Sequence, residues 1–192
     1  PPEQFVLYWM HHALRVEENP ALELAMLLAQ RLGRPLLVYL GLSERYRFAS
    51  DRHHTFILQG FRDVHARLTA LGVPVVVHVE RPGHRGPHLR TLVNRSCCTV
   101  TEEMPVAPTR GWLDRLASTS RVAILAVDAA CVVPLRLMGR AYDRAFEFRA
   151  ATQEPRAAHL PVAWPTLEWN GANGVPSAMP FEPVEQRQLL DL

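Results

Sequence analysis

Five short runs rich in apolar and β-branched residues recur along the chain, and amphipathic stretches with helical spacing separate them. The runs are FVLYWM at 5–10, PLLVYL at 35–40, VPVVVHV at 73–79, CCTVT at 97–101 and VAILAV at 122–127. A short run that stays apolar without alternating marks a strand buried on both faces, as in a parallel sheet. Between the first two runs, Asn19-Pro20 opens a helix that Gly33 closes. Asn caps, Pro suits the first helical position, and Gly takes the left-handed exit. The next helix covers 51–71, with Ile57, Phe61, Val64, Leu68 and Leu71 on one face, and Gly72 ends it. HLRTLVNR reads as a short helix, and Thr109 caps another through Trp112, Leu113 and Leu116. The alternation predicts an α/β fold: a Rossmann-like, doubly wound, five-stranded parallel sheet of order 3-2-1-4-5 with helices on both faces.

Composition excludes several alternatives. At 192 residues, 48% hydrophobic and 21% charged, the chain can build one packed domain, and is neither disordered nor fibrous. No apolar run nears the roughly 18 residues of a membrane span. The net charge of +2, from 21 basic and 19 acidic residues, is too balanced to argue for nucleic acid or membrane binding. Every basic residue is Arg. Three cysteines without a CxxC point to a reducing cytoplasm. PPEQFVLYWM carries no signal-peptide pattern. It does not open on Met, so the chain is expected to be a piece of something longer. MGRAYDRAFEFRAA reads as a helix, and the Pro-rich stretch 154–183 as an extended linker.

In a doubly wound sheet ligands sit beyond the carboxyl ends of the strands, where strand order reverses. For order 3-2-1-4-5 the reversal lies between the first and fourth strands. Any small-molecule crevice should therefore lie between the stretches 10–15 and 101–105. Glu102 and Glu103 there are placed to accept hydrogen bonds from a ligand ring or to pair with Arg15. The usual phosphate and nucleophile signatures are missing: no GxGxxG follows the first strand, and there is no GxxxxGK[ST] or GxSxG. The nine histidines show no zinc spacing, so no metal site is expected. Cys97 and Cys98 read as packing thiols, and Asp128 as a turn former. Trp9 and Trp112 read as core residues, Trp164 and Trp169 as linker anchors.

YWMHHALRVEENPAL resembles the opening of class II cyclobutane-pyrimidine-dimer photolyases, within the wider photolyase/cryptochrome family. There a YWM strand leads into a Ser-Arg-Asp-Gln-Arg loop, an Asp-Asn pair and a helix. Tyr8, Trp9, Met10, Arg15 and Asn19 match in register. Arg52, Phe56, Leu58 and Gly60 match an Arg-x-x-x-Phe-Met-Leu-x-Gly-Leu helix. TEEMPVAP is similar to the strand end Thr-Asp-Phe-Ser-Pro-Leu-Arg. Val127, Asp128, Ala129, Val132, Val133 and Pro134 match a Val-Asp-Ala-His-Asn-Val-Val-Pro motif. The chain departs at His11, His12, Ala13 and Leu14, at Glu102-Glu103-Met104, and at Ala130-Cys131.

The resemblance implies an N-terminal α/β antenna-type domain over 1–150. A Pro-rich tail, 151–192, would then lead toward a C-terminal helical domain. The resemblance puts FAD, damaged DNA and light-driven dimer repair in that helical domain, so no catalytic residue is expected in this chain. For this domain it implies a light-harvesting antenna chromophore, a deazaflavin or a folate. The residues expected to bind it are Met10, His11, Arg15, Thr101, Glu102 and Glu103. The alternative is a stand-alone, non-catalytic module that binds a nucleotide or flavin-like ligand on the same fold. A binder of the electron-transfer-flavoprotein or universal-stress type would carry a glycine-rich loop after the fourth strand, and TEEMPVAPTRG has none.

Overall fold

A computed structural model describes residues 5–163, 168–172, 174, 176 and 178–189. Its sheet has five parallel strands: β1 (Val6–Met10), β2 (Leu36–Leu42), β3 (Val75–Val79), β4 (Cys98–Glu102) and β5 (Ala123–Val127). The order is β3-β2-β1-β4-β5, as the alternation predicts. Between them run α1 (Pro20–Leu32), α2 (Asp51–Ala70), α3 (His88–Arg95) and α4 (Thr109–Thr119), and α5 (Ala145–His159) follows β5. Asn19 caps α1 through the amides of Ala21 and Leu22, and Gly33 closes it at φ 59°. Ser50 caps α2 through the amide of His53.

Side-chain alternation along β1 divides the core. Val6, Tyr8 and Met10 pack with Leu22, Ala25, Phe61 and Leu68 of α1 and α2. Phe5, Leu7 and Trp9 pack with Leu92, Val93 and Leu116 of α3 and α4. β1 is buried at every position, so it is the central strand that its unbroken apolar run implies.

The structure departs from the sequence reading toward the C-terminus. Trp112 is 40% exposed, because α4 buries only Leu116. α4 starts at Thr109, after Pro108, and no side chain caps it. α5 begins at Ala145 and continues through Pro155 to His159, so the expected boundary at 150 falls inside a helix. The later tail is not extended away from the domain. The Val184 amide donates to the Val77 carbonyl at 2.9 Å, and Val184 and Leu189 are buried. Phe181 packs on Tyr39, His78 and His88 with ring separations of 5.0 to 5.9 Å. β3 is an edge strand whose outer groups need a partner, and the tail supplies one. Trp169 packs partly buried against the α1/α2 side of the core, and Trp164 lies outside the described residues.

Candidate functional site

Strand order reverses between β1 and β4, and the chain leaves these strands toward opposite faces of the sheet. α1 follows β1 on one face and α4 follows β4 on the other. In doubly wound sheets the connecting loops part at the carboxyl end of such a reversal, and ligands bind between them.

A buried hydrogen-bond network fixes one wall. Glu102, the last residue of β4, is 1% exposed. Its Oε1 accepts the Tyr8 hydroxyl at 2.6 Å, and its Oε2 accepts the amides of His11 at 2.9 Å and His12 at 2.6 Å. Tyr8 in turn accepts from Asn19 Nδ2 at 3.1 Å. That amide nitrogen also lies 3.2 Å from the Ala13 carbonyl and 2.9 Å from that of Arg15. Asn19 Oδ1 meanwhile caps α1. One carboxyl and one amide thus tie β4, β1, the loop and α1 together. Burial, and next the proximity of Glu102, raise the Tyr8 hydroxyl well above its usual pKa, so it remains a donor.

Arg15 lies on the exposed outer side of the loop. Its Nε and Nη2 donate to the Glu18 carbonyl at 3.1 and 2.8 Å, and Nη2 also donates to the Ala129 carbonyl at 2.7 Å. Glu18 holds a left-handed φ of 51°, uncommon for a residue with a side chain, and these bonds to its carbonyl hold the turn. Beyond β5, Asp128 accepts the amides of Ala130, Cys131 and Leu135 at 3.0–3.2 Å, so it does form the turn expected of it. Arg15 therefore links the loops after β1 and β5.

The six expected binding residues occupy three kinds of position. Met10 is in the core, Thr101 donates to the Trp9 carbonyl at 3.0 Å, and Glu102 spends both oxygens inside the protein. Arg15 and Glu103 face outward. Glu103 pairs with Arg136 through two bonds of 3.0 and 3.2 Å, and Arg15 bonds to backbone carbonyls, with no contact to Glu102. His11 stands apart from both groups. Its side chain is 6% exposed and its ring lies 4.4 Å from that of Trp9, tilted by 36°. Neither ring nitrogen has a hydrogen-bond partner. Sequence reasoning used Tyr8 and Asn19 only as a family match and a helix cap, and missed that they belong to one network with Glu102.

Elsewhere the thiols of Cys98 and Cys131 are held in the protonated form. Burial lifts Cys98 to about 11, and burial and then Asp128 raise Cys131. Among the described residues no group of three or more His, Cys, Asp or Glu could hold a metal ion. No described helix is long and apolar enough to cross a membrane.

Three histidines give the fold a pH dependence. Burial lowers the pKa of His11, His65 and His78; Glu102, Gln186 and the His84 carbonyl respectively oppose the shift. The folded state therefore favours the neutral rings, while the unfolded chain takes up protons below about pH 6.5. Stability should be level above that pH and fall as pH drops below it. Urea midpoints at pH 7.5 and pH 5.5 check this, and equal midpoints would contradict it.

The DNA photolyase family model matches residues 6–153. The deoxyribodipyrimidine photo-lyase of Methanothermobacter thermautotrophicus is 30% identical over 152 residues, which is 79% of this chain and 33% of the relative. That of Arabidopsis thaliana is 30% identical over 132 residues, 68% of this chain and 26% of the relative. The chain thus spans about a third or less of the curated relatives it matches. Two solved structures share the fold at a TM-score of 0.63. One is the cryptochrome of Synechocystis sp. PCC6803, at 12% identity, over 79% of this chain and 33% of its own. The other is the archaeal photolyase of Sulfolobus tokodaii, at 14% identity, over 97% of this chain and 41% of its own. The latter contains two FAD molecules, with the implication of a novel light-harvesting cofactor.

Proposed function

The chain belongs to the DNA photolyase family, and from that premise we propose that its crevice between 10–15 and 101–105 binds a light-harvesting chromophore. The candidates are a deazaflavin, a folate or, as the Sulfolobus tokodaii protein suggests, a flavin. The observation that carries the reading is the Glu102 bracket. It holds the loop after β1 through two backbone amides at the strand-order reversal, so the crevice wall is rigid before any ligand arrives.

The residues present fit such a group. The unpartnered His11 ring is a polar edge without an internal counterpart. The bonds of Arg15 use Nε and Nη2, which leaves the Nη1 hydrogens for an anionic tail. Met10 and Thr101 support the crevice floor from within the sheet, and the Glu103–Arg136 pair forms its polar rim. Once bound, the chromophore would absorb light and pass the excitation on. The sheet, its flanking helices and the tail residues around Val184 and Leu189 that pack back on it form this antenna-type unit, and dimer repair would take place in a separate FAD-binding part of the whole protein. Damaged DNA is met by that whole protein, not by this near-neutral segment.

Fluorescence and calorimetric titration of the purified chain with 5-deazariboflavin, FAD and 5-formyltetrahydrofolate tests the reading. Saturable one-to-one binding of at least one probe is expected. Absence of binding by all three at millimolar concentration would overturn it.

A further inference from the structure

We infer that the imidazole of His11 is the hydrogen-bonding edge of the crevice, and that it recognises a planar heteroaromatic ring bearing an N–H or C=O on its rim. The inference rests on the chromophore reading above and names the residue that would read the ligand. A neutral imidazole always presents one N–H donor and one acceptor. Here neither nitrogen is paired, and each is covered in the ligand-free chain, so a ligand bonds to them by displacing the side chains that cover them. Native folds pair nearly all such groups, because each one left alone forfeits its hydration without a replacement bond.

No neighbouring group can fill the gap. Glu102 Oε2 lies 3.8 Å from His11 Nε2, too far for a hydrogen bond, and it already accepts two amides. The Tyr8 hydroxyl and the Asn19 side chain are committed to the network, and Thr101 Oγ1 donates to Trp9. The ring is nonetheless held in place: Trp9 lies against its face and Glu102 pins its own amide. Burial keeps it neutral, against a weaker pull from Glu102 and with His12 adding to the effect. A neutral donor–acceptor ring suits a neutral lactam or imide rim better than it suits a phosphate. The same chemistry is found in a flavin, a deazaflavin and a pterin, and separate probes distinguish these sources.

The test uses the chain labelled with 15N in its histidine rings. 5-Deazariboflavin, FAD and 5-formyltetrahydrofolate are added in separate titrations. For the probe that binds, the His11 ring nitrogens should shift along the binding isotherm. His11→Phe should weaken that probe about tenfold or more, the effect of one lost buried hydrogen bond. It should not lower the melting temperature, since it removes an unpaired polar ring. His11→Asn, which keeps a donor and an acceptor, should recover part of the affinity. Equal binding by the wild type and His11→Phe, with His11 signals unmoved, would overturn this inference and leave the crevice reading standing. Failure of every probe on the wild type would overturn both. If His11→Phe does not fold, the ring shifts in the wild type decide alone.

Discussion

Glu102→Ala should destabilise the fold by about 3–5 kcal/mol, since it strips the acceptor from three donors at once and each buried unpaired donor costs about 1–3 kcal/mol. The donors are the Tyr8 hydroxyl and the amides of His11 and His12. The full sum is not reached, because the two amides are only partly buried and water can enter. Glu102→Gln keeps the shape and one acceptor. It places an NH2 against the Tyr8 hydroxyl or against the two amides, so an intermediate loss of about 1–2 kcal/mol is expected. Urea unfolding followed by far-ultraviolet circular dichroism measures both. A loss under about 0.5 kcal/mol for the alanine variant, the ordinary level for a surface change, would show that the bracket contributes little.

Asn19→Ala should cost about 2–4 kcal/mol. Loss of an N-cap accounts for about 0.5–2 of this. The rest comes from the Tyr8 hydroxyl and the carbonyls of Ala13 and Arg15, which lose their donor in a buried setting. Asn19→Asp keeps the capping oxygen but has no N–H, so it should recover the cap part only. A double-mutant cycle with Tyr8→Phe should show a coupling of about 1 kcal/mol, as expected for residues in one network. Strict additivity would mean that Asn19 acts through the cap alone.

Much of this architecture can be read from the residues. Interior parallel strands are buried on both sides, so FVLYWM and PLLVYL stand out as unbroken apolar runs, and the reversal of strand order then says where a crevice would lie. Side-chain direction at the strand ends was harder to read. From its place at the end of β4, Glu102 is expected to accept from a ligand, yet it points inward to Tyr8. A clue was present: alternation along β4 puts Glu102 on the face of Cys98 and Val100, and Val100 lies in register beside Tyr8. A buried tyrosine next to a carboxyl on the same face suggests a pair. Arg15 could not be assigned this way, because its partners are carbonyls of Glu18 and Ala129, and backbone acceptors leave no mark in sequence. The proline count beyond 154 predicts an extended segment. Instead α5 continues through Pro155, and Phe181, Val184 and Leu189 return to the flank of β3, contacts that leave no periodic mark in the sequence.

The crevice reading is tested most directly by mapping backbone amide shifts in the 15N-labelled chain during titration with 5-deazariboflavin. The account predicts saturable shifts clustered in 11–15 and 101–104, with a weaker response at Ala129, whose carbonyl Arg15 holds. Saturable binding that leaves those amides unmoved, and instead shifts the ends of β2 and β3 around Ser43 and Glu80, would contradict it.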